Sequence, residues 1–304
     1  MVEPMPRGRV IVVGGSGALG SLLLTEARAA ARPAVGTCLH HPGPGLVRFD
    51  CLNGRLADLG APGPGDCVYL LSAMTAPDQV CDHPDEAKNL NVTAILRLAD
   101  EALAGGARVV FVSTEYVFDG ETGGYAEDAT PNPTTLYGRF KVEAETRLLR
   151  AGGNLCILRT GLTVSPRAAD ACAVARTHAS LLKPGARMAH DNVFSLTDAG
   201  DVARALLMLA DAPVTGIVHC VASPEVSRTQ LADWIIADSR HGGRMGYATV
   251  SWADIAFREP RPRRSFMVSR RLGPDLGLQP IAPRLAVRRK VALLDDAIDR
   301  EAAS

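Results

Sequence analysis

Two periods alternate along the first half of the chain. A short β-branched run over residues 9–13 is followed by an Ala/Leu-rich stretch over 21–31 and then by a second short apolar run over 34–39. Brief apolar runs read as buried strands and the longer stretch between them as a helix, so this segment predicts a βαβ unit. The pattern repeats with an apolar run over 67–72, a helical segment over 85–104 whose apolar residues fall three and four apart, and another strand over 108–112. A polar loop containing Gly120, Gly123, Gly124, Pro131 and Pro133 comes next, ahead of a helix predicted over about 136–150 and a strand over 155–158. Strands alternating with helices predict the α/β class with a doubly wound parallel sheet.

Beyond about residue 163 the alternation fades into shorter mixed segments rich in Arg and Pro. The expected organisation is a dinucleotide-binding Rossmann unit over 1–163 and a smaller C-terminal mixed α/β substrate lobe over 164–304. The strand-like run over 216–221 suggests that residues 213–224 return to the first sheet. No internal repeat, coiled coil or low-complexity tract interrupts this pattern.

Composition narrows the function classes. With 304 residues and 47% hydrophobic side chains the chain can bury a large core. Its 33 basic residues balance 33 acidic ones, so no global field favours nucleic acid or an anionic membrane as partner. The first nine residues lack the apolar run of a signal peptide, and no stretch of about eighteen apolar residues occurs, so a cytoplasmic protein is expected. The seven cysteines are scattered, with no C-x-x-C pair, and the seven histidines include no HExxH. The adjacent His40 and His41 at a predicted strand end would point apart, and no metal site is expected.

Candidate chemistry begins directly after the first strand. Gly14-Gly15-Ser16-Gly17-Ala18-Leu19-Gly20 has G-x-x-G-x-x-G spacing and opens a helix. Gly14 suits a tight turn, Gly17 lets a dinucleotide pyrophosphate approach the backbone, and Gly20 lets helix and strand pack closely. The acidic residue that commonly holds the adenosine ribose of NAD at the end of the second strand is missing; Leu39-His40-His41 stand there. That favours NADPH and leaves NADH open.

Tyr137 and Lys141 lie four residues apart, on one face of the predicted helix. A ketone reduced by hydride needs a proton delivered to its oxygen, and a phenol can deliver it if a nearby cation stabilises the phenolate left behind. Ser113-Thr114 follow the strand over 108–112, where carboxyl ends of parallel strands gather active sites, and Thr114 is placed to donate to the carbonyl oxygen.

These motifs, with Phe49-Asp50, Thr75, Asp78, Pro84, Asn91-Val92, STEYVFDG, YGRFK and Leu158-Arg159-Thr160, resemble the extended short-chain dehydrogenase/reductases, and within them the dTDP-4-dehydrorhamnose reductase group. The resemblance implies Thr114, Tyr137 and Lys141 as catalytic residues. It implies cofactor contacts at Gly14, Ser16, Gly17, Ala18, Leu19 and Gly20, at His40, Asp50 and Cys51, at Leu71, Ser72 and Ala73, and at Tyr137 and Lys141. It places Thr75, Thr114, Glu115, Tyr116, Leu162 and Arg261 near the substrate and gives Asn91 a supporting role.

Departures from the family pattern fall on the substrate side: Glu115 replaces an aspartate, Leu162 an aromatic residue, and Arg264-Ser265 an Asn-Ser pair. The expected activity is therefore NAD(P)H-dependent reduction of a ketone on a sugar, nucleotide sugar or cyclitol-like molecule, in bacterial carbohydrate or natural-product biosynthesis. The alternatives are a nucleotide-sugar epimerase or dehydratase, and a non-catalytic dinucleotide-binding regulatory subunit; a homodimer stays open. The basic stretch Arg258, Arg261, Arg263, Arg264, Arg270 and Arg271 could furnish one or two clamps for a substrate pyrophosphate.

Overall fold

The computed structural model describes residues 8–40 and 42–303; His41 lies outside them. Strand β1 (Val10–Val13) leads through the glycine loop into α1 (Ala18–Ala29), followed by β2 (Ala34–Cys38) and β3 (Leu46–Arg48). Then come β4 (Cys67–Leu70), the short helices α2 (Pro77–Asp82) and α3 (Pro84–Lys88), a π-helical turn over Asn89–Ala94, and α4 (Ile95–Ala104). Strand β5 (Arg108–Thr114), helix α5 (Leu136–Ala151) and strand β6 (Leu155–Thr160) complete this run. The later chain supplies β7 (Leu162–Val164), α6 (Ala173–Leu181), β8 (Arg187–Ala189), β9 (Val193–Phe194), β10 (Leu196–Asp198) and α7 (Ala199–Leu209). After β11 (Gly216–Cys220) follow β12 (Val226–Ser227), α8 (Arg228–Asp238), β13 (Ala248–Val250), α9 (Leu272–Leu276) and α10 (Pro283–Ala303).

Seven strands form one parallel sheet in the order β11-β6-β5-β4-β1-β2-β3. Every residue of β1 and β4 is buried, because helices cover both faces and leave no polar side to the sheet. Ile95, Leu98, Phe140 and Leu148 of α4 and α5 pack on one face. Leu23 and Leu24 of α1, Leu206 and Leu209 of α7 and Leu276 of α9 pack on the other. A separate core in the smaller C-terminal region joins Val174 and Leu181 of α6, Leu231 and Ile235 of α8, and Val287 and Val291 of α10. Strand β1 sits between β4 and β2, so successive connections leave it in opposite directions and open a crevice at the carboxyl ends of the strands.

Several boundaries differ from the sequence expectation, each for a local reason. Helix α1 begins at Ala18, inside the glycine motif, rather than at 21. Strand β4 stops at Leu70 because the amides of Leu71 and Ser72 both turn to donate to Val13 O, at 2.9 and 3.2 Å. The helix expected over 85–104 is interrupted by the π-turn, whose Asn91 side chain accepts from Met74 N at 2.8 Å and donates to Met74 O at 2.9 Å. Strand β5 runs on through Ser113 and Thr114, making the threonine its last residue. Past residue 163 the chain enters the smaller region, then comes back to the main sheet: β11 pairs in parallel with β6, and α7 and α9 cover the α1 face.

Candidate active site

The crevice widens into a cavity of about 690 Å³. One end is walled by Gly14, Gly17, Ala18, Leu19 and Gly20, and the chain after β4 adds Leu71, Ala73 and Thr75. The glycine loop is fixed by Gly14 N donating to Thr37 Oγ1 at 2.9 Å and Ser16 N donating to Thr37 O at 3.1 Å. A Cβ on Gly20 would come within 2.3 Å of Gly14 O, so packing closes that position, whereas a Cβ on Gly17 would meet only Gly14 O, at 3.4 Å. The backbone at Gly17 is therefore bare toward the cavity. Helix α1 has neither a side-chain cap nor an acidic residue in its first turn, so its opening N–H groups remain for an anion. A dinucleotide pyrophosphate fits this cradle.

Not every residue expected at the cofactor is on the cavity wall. Ser16, His40, Asp50, Cys51 and Ser72 lie off it. His40 is exposed just past β2. Asp50 turns its carboxylate onto Leu52 N at 2.9 Å and Asn53 Nδ2 at 2.7 Å, and these bonds hold its pKa below the ordinary carboxylate value. The Cys51 thiol is pushed up by burial, against the opposing effect of the Ser72 hydroxyl. Asn91 acts one step back, holding the backbone at Met74 between the wall residues Ala73 and Thr75.

Thr114, Tyr137 and Lys141 converge on the middle of the cavity. Thr114 ends β5 and caps the short turn Glu115–Val117, its Oγ1 accepting from Tyr116 N at 3.3 Å. Helix α5 opens on a Thr135 cap, whose Oγ1 accepts from Gly138 N at 3.0 Å, so Tyr137 falls in the first turn and Lys141 one turn later. The Lys141 ammonium donates to Val112 O at 2.6 Å and stands 4.1 Å from the centre of the Phe111 ring. Burial pulls its pKa down to about 7, against the opposing charge of Glu145. Burial raises the Tyr137 phenol, Glu115 raises it further, and a hydrogen bond with the Thr114 hydroxyl opposes both. Glu115 is itself buried: Thr114 Oγ1 donates to its Oε2 at 3.2 Å, and desolvation lifts its carboxyl to about 7. The site holds a protonated phenol, a threonine hydroxyl beside it and an amine under the same strand end, which is a set suited to proton delivery.

Tyr116, Leu162 and Arg261 line the far end of this cavity and, with Glu115, open onto a second one of about 300 Å³. Its wall brings in Arg176 of α6 and Arg228 at the start of α8, which sequence reading did not single out. Arg228 donates through Nε and Nη2 to Asn192 Oδ1 at 3.3 and 3.2 Å and stacks over Phe194, and burial pulls its pKa down to about 10. Among the described residues neither Arg176 nor Arg228 has a carboxylate partner. The basic stretch seen in the sequence is otherwise spent on ion pairs: Arg258 with Asp82, Arg263 with Asp191, Arg270 with Asp128 and Arg271 with Asp275. Arg264 donates to Thr122 O. Arg261 pairs with Asp78 at 2.7 Å and alone of the six lines the cavities described, with its Nε buried and lacking a hydrogen-bond partner.

Residues 8–295 match the model of the family described as RmlD substrate binding domain. Over 156 residues the chain is 33% identical to methionine adenosyltransferase 2 subunit beta of Bos taurus, a match covering 51% of this chain and about half, 47%, of that relative. It is 28% identical over 233 residues to the dTDP-4-dehydrorhamnose reductase of Sinorhizobium fredii, covering 70% of this chain and 75% of the other. The crystal structure of dTDP-4-dehydrorhamnose reductase from Bacillus anthracis in complex with NADP superposes with a TM-score of 0.81 at 22% identity, covering 94% of this chain and 99% of that one. That last likeness is one of fold.

Proposed function

We propose, for a chain that belongs to the RmlD substrate binding domain family, the NAD(P)H-dependent reduction of a ketone on a nucleotide-linked sugar. The observation that carries this reading is the convergence of Thr114, Tyr137 and Lys141 on the cavity that begins at the glycine loop. Gly14, Gly17, Ala18 and Leu19 would hold the pyrophosphate of the dinucleotide, and Lys141 its nicotinamide ribose. The bound dinucleotide supplies the hydride; the remaining chemistry belongs to the protein. Thr114 orients the carbonyl by hydrogen bonding, and Tyr137 releases its proton to the oxygen as charge grows there. Lys141, one helical turn away, offsets the charge of the phenolate that remains. NADPH is the preferred form, since no carboxylate closes β2 to repel a 2′-phosphate.

The second cavity supports the nucleotide-linked part of the proposal. A buried guanidinium without a carboxylate is costly, and a substrate pyrophosphate between Arg228, Arg176 and Arg261 would offset that cost. Exchanging Tyr137 for Phe tests the mechanism: turnover should fall at least about a thousandfold with NADPH affinity, followed by fluorescence titration, changed less than about threefold. Unchanged turnover would remove Tyr137 from the reaction. An epimerase or dehydratase would return the dinucleotide unchanged, and only Glu115 stands beside Thr114 to serve as an acidic partner.

A second reading rests on the 33% identity to a protein named as a methionine adenosyltransferase subunit. In it the chain binds the dinucleotide as a regulatory signal and acts on a partner enzyme. The complete Thr114, Tyr137 and Lys141 set weighs against this reading, since a subunit without turnover has no need of a proton donor. Stable association with an adenosyltransferase, without NADPH consumption, would favour it.

A further inference from the structure

Helix α5 carries Tyr137 in its first turn, where backbone amides have no partner inside the helix. Gly138 N is met by the Thr135 cap at 3.0 Å. Leu136 N is met from far away in sequence, donating to Glu259 Oε2 at 2.8 Å. The first turn of α5 has no acidic residue of its own, so Glu259 supplies the negative charge that favours the amino end of a helix.

Glu259 belongs to a segment over residues 252–261 that faces the second cavity, which Trp252, Ile255, Phe257 and Arg261 help to line. Trp252 Nε1 donates to Arg261 O at 3.1 Å and closes the segment on itself. On either side of Glu259 the segment is tied to α2, through Arg258 to Asp82 and through Arg261 to Asp78 at 2.7 Å. The Glu259 side chain is 12% exposed, and Arg139, half exposed with its Nη2 at 3.9 Å, holds it weakly. Its short contact is with the helix backbone.

Tyr137 is the next residue along, its ring set edge-on to Tyr116 with centroids 5.8 Å apart, so a shift of the backbone at Leu136 moves the phenol directly. Proton delivery is sensitive to such shifts, since a misplacement of about 1 Å can cost about a hundredfold in rate. We infer that Glu259 is a positioning residue for Tyr137. By closing the amino end of α5 from the wall of the second cavity, it fixes the phenol and joins the arginine-lined side of the cleft to the residue that delivers the proton. This inference rests on the reductase reading above, and Glu259 acts in it through α5 rather than on the reacting atoms.

Three substitutions in the full chain separate reach from charge. Glu259→Ala removes both, Glu259→Gln keeps an acceptor for Leu136 N, and Glu259→Asp keeps the charge but draws it back by one methylene. NADPH oxidation with nucleotide-linked keto-hexoses should show kcat lowered about tenfold in the Ala variant, with KM and NADPH affinity within about threefold of the unaltered protein. The Gln variant should recover most of that loss and the Asp variant little of it. Amide hydrogen exchange should speed up in the first turn of α5 in the Ala and Asp variants and not in the rest of that helix. A kcat within twofold of the unaltered protein in both Ala and Asp variants would overturn the assignment. So would recovery by Asp and not by Gln, which would make the charge rather than the position decisive, and so would unchanged exchange in that turn. If the unaltered protein oxidised NADPH with none of these ketones, the reductase reading would fail first and the assignment with it, a result distinguishable because it needs no variant.

Discussion

At the residue scale the site turns on two groups that change charge in the same range. Lys141 is drawn down to about 7 and Glu115 is lifted to about 7, both by burial. As pH rises through that range, Lys141 loses its positive charge while Glu115 acquires a negative one. In the proposed mechanism each change removes positive potential from the region of the Tyr137 oxygen, where a phenolate forms when the proton leaves. Turnover in the reducing direction should therefore fall above about pH 7, and fall more steeply than one ionisation allows. In Glu115→Gln the fall should soften toward a single ionisation; a pH profile of kcat unchanged by that substitution would show that the Glu115 charge does not act on Tyr137.

The residues proposed to carry the chemistry were the most legible part of the sequence. A glycine motif between a strand and a helix, and a Tyr-Lys pair at helical spacing, are local patterns whose geometry follows from one element. Arg176 and Arg228 were not functionally legible in the same way, whereas Asn91 was given its supporting role by the family resemblance. Each of the two arginines is one polar residue in an ordinary helical stretch, and its importance arises only when elements far apart in sequence meet. Arg176 gave a faint signal, as a lone charge in the small-residue run of α6.

At the element scale, helix α5 links Tyr137 and Lys141 to the core. Its Glu145 lies one turn beyond Lys141 and forms a buried two-contact pair with Arg159 of β6, through Nε at 2.9 Å and Nη2 at 2.6 Å. Arg159 also meets His219 of β11 at 3.5 Å and stacks over Phe118. The pair therefore ties α5 to the sheet and at the same time supports the charge on Lys141. Replacing Glu145 by Gln leaves a buried guanidinium without its counterion, and urea unfolding should show a loss of about 3 kcal/mol. A loss below about 1 kcal/mol would mean that the pair contributes little to the fold. Helix boundaries were less legible than helix existence: the π-turn over Asn89–Ala94 follows from a tertiary bond to Met74, which periodicity does not encode.

At the scale of the whole molecule the three proposed roles lie in sequence along one cleft. The glycine loop is at one end, Thr114, Tyr137 and Lys141 in the middle, and the arginines of the smaller region at the other. The parallel sheet was legible because βαβ alternation leaves few ways to connect its strands. The smaller region was not, because its six short strands β7, β8, β9, β10, β12 and β13 lack a repeating period and join only in pairs beside α6, α8 and α10.

Hydride transfer from a bound dinucleotide to a sugar carbon, with the substrate held by its phosphates, can be followed with NADPH carrying deuterium at the transferable position of nicotinamide C4, offered with keto-hexoses in free and nucleotide-linked form. The proposed reaction requires stoichiometric NADPH consumption with the nucleotide-linked ketone alone, and one deuterium on the new carbinol carbon by mass spectrometry. A product lacking the label, or conversion without net consumption of NADPH, would contradict it.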